Sequence, residues 1–557
     1  MALGASLLFG SATAEAATST KTAIVSSTTP VLVTDLTHPP SGYRLTAAHV
    51  ERVAAAAPKI RAELRRHPHA IPYEYTRGPG SWQVSWFSRG RHQVELAQVY
   101  VSDATGRVTE AWTGFQVAWS MARGYPGAFG RHVNSLYVWI PMCLAFVAPF
   151  LPWRRRPSLL HLDLLVLLGF SVSLAFFNHG EIGLSVPLVY PFLIYLLVRM
   201  LLLAFGRGRS RTPLRVLIPI PWLAVAVVFL VGFRIGLNVT DSNVIDVGYA
   251  GVIGADKLIH GHRLYGQWPK DNAEGDTYGP VNYYAYVPFR AVFGWSGTWD
   301  DLPAAHAAAI AFDLLSLIAL FLLGRRIRGP TLGIVLAYAW AAYPFSLWTL
   351  SSNTNDSLVA LSALVTLLLI GAPTRRGISG ALAALTKFAP LALAPLWLRG
   401  AAPGAVRRRS VLVSALAFAL TLVVAMLPVL LEHNLGAFWR DTIVYQADRS
   451  TPFSIWGLWG GLGLEHHLIE GAVVALALLA AVLPRRRGLI EVSALAAAVL
   501  IALQLAASYW LYSYVVWFFP LVAAAIFGAL PARAGQTVTE PAPGPARWRS
   551  PALARSL

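Results

Sequence analysis

The chain has 557 residues, 56% of them hydrophobic and 13% charged, roughly half the charged share of a soluble globular protein. That composition excludes a soluble enzyme, a disordered scaffold and, with Cys143 the single cysteine, a disulfide-stapled secreted domain. Lys and Arg outnumber Asp and Glu 45 to 27, a net charge of +18. The basic residues fall in short clusters between apolar stretches, the pattern of cytoplasmic loops in a polytopic membrane protein and not of a nucleic-acid binder.

Residues 1–16 join a short apolar core to Ala14-Glu15-Ala16 and read as a signal-peptide-like leader. The Ser/Thr-rich stretch 17–43 reads as a disordered linker. Residues 44–134 read as a small α+β domain outside the membrane. Val50, Val53, Ile60 and Leu64 have helical spacing, which predicts one helix between Leu45 and Arg66. Alternating patterns predict strands over 82–87, 94–101 and 108–117, the last two joined at the turn Ser102-Asp103-Ala104-Thr105-Gly106. The run from Val99 to Gly114, a strand, an Asp-x-x-x-Gly turn and a second strand, resembles the PepSY-type repeat. No catalytic constellation occurs in this domain, so binding, regulation or stabilisation is expected of it.

A crossing needs about 20 apolar residues, and on that measure about eleven segments qualify as transmembrane helices. They are 135–152, 159–176, 185–205, 215–236, 304–324, 331–350, 356–372, 410–431, 468–484, 488–507 and 511–530. With the N-terminal domain outside, strict alternation puts the basic clusters 154–156, 207–215, 325–328, 375–376, 407–409 and 485–487 inside, provided 378–398 does not cross. That segment contains Pro390 and Pro395 and is expected to be a broken re-entrant hairpin. The basic tail 531–557 then lies in the cytoplasm and reads as disordered. An Arg-rich, Lys-poor composition suggests a bacterial plasma membrane.

Two long loops, 237–303 and 432–467, face outward in this topology, and loops of that length with many aromatics usually carry function. In the first, residues 245–258 have helical spacing, and Asp246 at their start is either a capping residue or a general base, with Asp241 as its rival. In the second, Arg440 and Arg449 offer forked donors to a phosphate, and Trp456 offers an aromatic face to a sugar. Lys387 lies within the broken segment, a costly place for a charge unless it is paired or functional. Asn353, Asn355 and Asp356 form a polar outer turn that caps a helix or touches substrate. Asp313 and His306 read as pairing groups within a span.

The order of these elements resembles the GT-C membrane glycosyltransferases, in particular the polyprenol-phosphate-mannose-dependent branch. There the pattern is Asp-x-x-x-Tyr, a helix, Gly-x-x-x-Tyr and Tyr-Pro-Pro. Here Asp246-Val247-Gly248-Tyr249, Gly261 to Tyr265 and Tyr278-Gly279-Pro280 occupy those places, with the first spacing one residue short and Gly279 in place of the first proline. The resemblance spans 215–530 and makes 135–214 an accessory set of helices. It implies that Asp246 deprotonates an acceptor hydroxyl, that Lys387, Arg449 and Arg440 hold a donor phosphate, and that Tyr249, Tyr265, Tyr278, Asn353, Asn355, Asp356, Gln446 and Trp456 line the substrate site. Gln446 and Arg449 belong to a Gln-x-x-Arg-x-x-x-x-Ser run similar to the family's.

No phosphate-binding loop, dinucleotide fingerprint, His-Glu-x-x-His or Ser-His-Asp set occurs at useful spacing. The expected donor is therefore a polyprenyl-phosphate-linked sugar, mannose-like, and the acceptor an envelope glycan, lipid or protein. No cofactor is expected and no divalent-metal site is readable. The other partners are membrane lipids, with no role for nucleic acid. The competing readings are a transporter or flippase of a lipid-linked intermediate, which would require paired broken helices, and a non-catalytic membrane receptor.

Overall fold

The computed structural model describes residues 30–90, 93–124, 129–151, 157–210, 213–299, 302–401, 408–449 and 451–531. The leader 1–16 and all of the tail beyond Pro531 lie outside the described residues. The chain divides into two compact units that meet between Arg123 and Gly124.

In the first unit, five antiparallel strands run in the order β1-β2-β3-β4-β5: Val31–Leu32, Ile71–Thr76, Ser81–Phe87, Glu95–Ser102 and Val108–Thr113. Helices α1 (Ala47–Ala55) and α2 (Pro58–Arg66) bury Ala47, Val50, Ala54 and Ile60 against one face of the sheet. That face is built by alternation: Trp82, Val84 and Trp86 of β3 lie opposite Val101, Val99 and Ala97 of β4, and all six are buried. Aligned cross-strand pairs of this kind are the unit of sheet stability.

Several expectations for this unit need correction. The helix expected across 45–66 is two helices, because Pro58 has no amide hydrogen to continue α1 and its predecessor Ala57 is extended, at ψ 132°. Part of the expected linker is ordered, since Val31 and Leu32 pair with Thr76 and Tyr75. The strand β2 was not expected, and Pro72 within it is the reason. Pro72 is tolerated because β1 covers only the far end of β2. Finally, β5 stops at Thr113: Gly114 turns at φ +59° and a short helix, Phe115–Ala118, follows.

The second unit is helical. Among the described residues, seven helices are long and apolar enough to cross a membrane: Leu159–Asn178, Ile182–Ala204, α3 (Ile220–Thr240), α4 (Pro303–Arg328), α5 (Arg408–Leu431), α6 (Gly463–Val482) and α7 (Leu489–Ala506). An eighth span results if Pro330–Ala342 and Pro344–Ser351, bent by 56° at Tyr343, count as one. Leu136–Phe150, Asp356–Leu368 and Tyr512–Gly528 are shorter apolar helices. Several of the long spans turn apolar side chains outward. In α3, Val228 and Phe229 are 73% and 72% exposed while Arg234 and Asn238 are fully buried, the reverse of a helix in water. The molecule is a polytopic helical membrane protein with a small antiparallel-sheet unit on its N-terminal side.

Residues 373–400 are broken as their prolines require. Helix Pro373–Ala384 ends, a turn carries Lys387, a 3-10 segment Ala389–Leu393 follows, and helix Ala394–Arg399 closes the element. Arg376 ties its two ends together. The guanidinium donates from Nη2 to Leu398 O at 3.0 Å and from Nη1 to Ile370 O at 3.1 Å. The chain therefore returns to where it left, with Lys387 near the tip.

Candidate functional site

Three stretches converge on that tip. Gly279 brings the first long loop against it, with so little room that a Cβ there would lie 2.0 Å from Leu385 O, and Val281 N donates to the same carbonyl at 3.1 Å. Helix Asp356–Leu368 begins beside it, and Lys387 Nζ pairs with Asp356 Oδ1 at 2.6 Å. Trp517 Nε1 donates to the same oxygen at 2.8 Å. The rings of Tyr278, Tyr514 and Trp517 surround the ammonium, with centroids 5.2–5.4 Å away. A buried carboxylate and three aromatic faces thus replace water around Lys387, which is what a charge removed from solvent requires.

Asp246 opens its helix as the first helical residue, after Ile245, so it is not the capping residue. Its side chain keeps an exposed surface although protein surrounds its carboxyl group closely. Burial pushes its carboxyl above the usual range, and Asp356 adds to the effect. The Val247 amide, Arg449 and Lys387 pull the other way without cancelling it. Asp246 therefore lies within electrostatic reach of both cations.

Arg449 is held differently from Lys387. Its guanidinium carbon lies 3.8 Å over the Tyr509 ring and 5.6 Å from that of Tyr445. Its Nε is buried without a hydrogen-bond partner among the described residues. The helical turn Tyr445–Asp448 stands between two cavities. One, of about 490 Å³, is lined by Tyr278, Lys387, Gln446, Tyr509 and Tyr514 and continues along apolar Val473, Val474 and Leu503. The other, of about 450 Å³, is lined by Trp268, Glu274, Asp276, Arg440, Asp441, Tyr445 and Arg449. Burial and the nearby carboxylates Asp441 and Glu274 push Asp276 up to about 6, against a hydrogen bond from Gly266 N.

The remaining candidates divide. Tyr265 donates its hydroxyl to Tyr278 O at 2.9 Å, and Tyr249 stacks on Trp299 and donates to Asp271 at 3.2 Å, so both support the loop from below. Asn355 donates to Asn282 Oδ1 at 2.8 Å. Asn353, at φ +50°, donates to Ser242 and Asn243 at 2.9 Å, holding the polar turn under the helix that Asp246 starts. Arg440 pairs with Asp441 at 2.8 Å on the surface. Trp456 stacks on His466, which lines the same cavity as Lys387, and donates to Leu505 O. Asp241 pairs with His132 at 2.6 Å and lines a third, apolar cavity with Tyr137, Phe229 and Phe233. Asp313 pairs with Arg234 and accepts from Trp340 at 2.9 Å, and His306 bonds with Asn238. Sequence reasoning missed Tyr509, Tyr514 and Trp517. Their signal was the dense aromatic run Tyr509-Trp510-Leu511-Tyr512-Ser513-Tyr514 at the start of the last apolar segment.

Compared with protein-family models and with curated proteins, the chain matches none.

Proposed function

We propose that the protein is a membrane glycosyltransferase of GT-C type, moving a sugar from a polyprenyl phosphate to an acceptor on the outer face of a bacterial plasma membrane. One observation carries the reading: a carboxylate of raised basicity, Asp246, lies within the fields of Lys387 and Arg449, beside a cavity that runs from charged and aromatic to apolar. A phosphate ester with a hydrocarbon tail fits that gradient. The acceptor oxygen attacks the anomeric carbon as the bond to the phosphate oxygen breaks. Asp246 takes the hydroxyl proton, and the leaving polyprenyl phosphate gains one negative charge, which Lys387 and Arg449 stabilise. A single displacement inverts the anomeric centre.

The accompanying topology has eleven crossings, the N-terminal unit outside and the C-terminus in the cytoplasm. It is supported by the helices found within each of the eleven apolar segments and by a broken hairpin whose ends meet at Arg376. A flippase would need the bent pair Pro330–Ala342 and Pro344–Ser351 to repeat the Lys387 hairpin with inverted topology.

Purified protein given a radiolabelled lipid-linked sugar tests the reading. Asp246→Asn should lower transfer by about 10²–10⁴-fold without altering the unfolding midpoint. Full activity in that variant, or no transfer to any envelope fraction by the unaltered protein, sinks it.

A further inference from the structure

The cavity on the far side of the Tyr445–Asp448 turn carries more negative than positive side chains. Three of its lining side chains are carboxylates, Glu274, Asp276 and Asp441, against the two guanidinium groups of Arg440 and Arg449, and the excess would repel an anion. Nor does it form a metal centre: among the described residues no three His, Cys, Asp or Glu side chains converge as ligands do. Asp276 is only 4% exposed and still lines the cavity, with Oδ2 accepting from Gly266 N at 2.8 Å. Arg449 also lines it, with its Nε buried and unpartnered among the described residues.

The walls are rigid where they are aromatic. Trp268 donates to Leu264 O at 2.9 Å, and Gly275 lies so flat against its indole that a Cβ would come within 2.4 Å of the ring. Tyr445 lines this cavity and lies within the electrostatic reach of both Asp276 and Asp246, the proposed base. At about 450 Å³ the volume falls in the range of small-ligand sites, about 300–1,000 Å³.

We infer that this cavity is the acceptor subsite and that it takes a neutral or amino-bearing sugar unit while rejecting anionic sugars. Sugar hydroxyls donate to carboxylates and accept from guanidinium groups, and the aromatic walls suit the C–H faces of a pyranose. Arg440 is already paired with Asp441, which leaves Glu274 and Asp276 against the single guanidinium of Arg449, so the net charge facing a ligand is negative. A uronate or a phosphorylated sugar meets like charge there. A lipid hydroxyl would leave the polar wall unfilled. The inference rests on the transferase reading for the word acceptor, but the binding itself does not.

Saturation-transfer NMR on the full-length protein in nanodiscs, with no donor present, would compare a methyl hexopyranoside, the matching hexosamine and the matching hexuronate. The first two should show transfer from the protein and the third should not. Asp276→Asn should weaken the hexosamine about tenfold. Because Asp276 also holds Gly266, the exposed Glu274→Gln is the second variant, and it should narrow the gap between hexosamine and hexuronate. Equal signals from all three probes, or none from any, overturn the inference. Sugar binding without any glycosyl transfer would sink the transferase reading alone. Transfer to an acceptor with no sugar binding at this wall would sink the subsite alone.

Discussion

The two units solve the problem of burial in opposite ways. In the N-terminal unit, Trp82, Val84, Val99 and Ile60 are buried, and the buried Asp103 is satisfied by the Arg44 and Leu45 amides and the Trp82 indole at 2.8–3.0 Å. In the helical unit, Val228, Phe229, Leu412 and Leu416 are 69–73% exposed, while Arg234, Asp313, Asp163, Arg199, Lys387 and Asp356 are buried. The buried ions are paired: Arg234 with Asp313, Arg199 with Asp163 at 3.0 Å, Lys387 with Asp356. The contrast teaches what solvent each surface was built for. A water-facing unit hides its hydrocarbon, whereas a lipid-facing unit hides its charge and must then pair it.

The largest effect should come from breaking one such pair. Arg234→Met strands Asp313 in the interior and should cost about 3–5 kcal/mol, read as a lowered unfolding midpoint in detergent. Arg234→Met with Asp313→Leu should recover most of it. A double variant as unstable as the single would mean that the pair does more than neutralise itself.

Next in size is a lysine placed on each outer surface. Val228→Lys should oppose membrane insertion by about 3 kcal/mol, seen as loss of protein from the membrane fraction. Val94→Lys, at an equally exposed position of the first unit (61%), should change nothing measurable. Equal tolerance at both sites would erase the contrast between the units.

Smaller still is Asp103→Ala, at about 1–3 kcal/mol for three donors left without an acceptor. Hydrogen exchange of residues 81–102 would report it. Burial pushes Asp103 up, but hydrogen bonds from Trp82, Leu45 and Arg44, with the Arg44 charge, outweigh it and hold the carboxyl below its usual value. Its contribution to stability is therefore present above the unfolded value of about 3.9 and fades as pH falls through the lower folded value. Loosening of the unit on raising the pH would contradict this. Smallest of all, Arg440→Ala removes an exposed pair with Asp441 and should leave the unfolding midpoint where it was.

Much of this was legible because apolar runs and strand alternation are local signals. Every apolar segment of span length contains helix, and the helix expected over 245–258 runs from Asp246 to Ile259. The surroundings of Lys387 were not legible. Its carboxylate lies 31 positions away and its indole partner Trp517 on the last helix, and an aromatic run at the end of a span reads equally well as an interfacial belt. Asp356 read as a helix cap because capping is visible within four residues and ion pairing across helices is not. In the N-terminal unit, Pro72 masked β2 for a related reason: whether a proline is tolerated in a strand depends on where the neighbouring strand ends.

Gly279 draws one more consequence from the hairpin tip. With hydrogen as its only substituent, it lets the first long loop rest directly on Leu385 O. A proline, the residue that the GT-C pattern has there, would wedge a carbon into that carbonyl. The distance from Tyr278 to Lys387 is in this sense set by a missing methyl group, and Gly279→Ala would act as a spacer, lifting the ring off the ammonium while leaving every charge of the site in place.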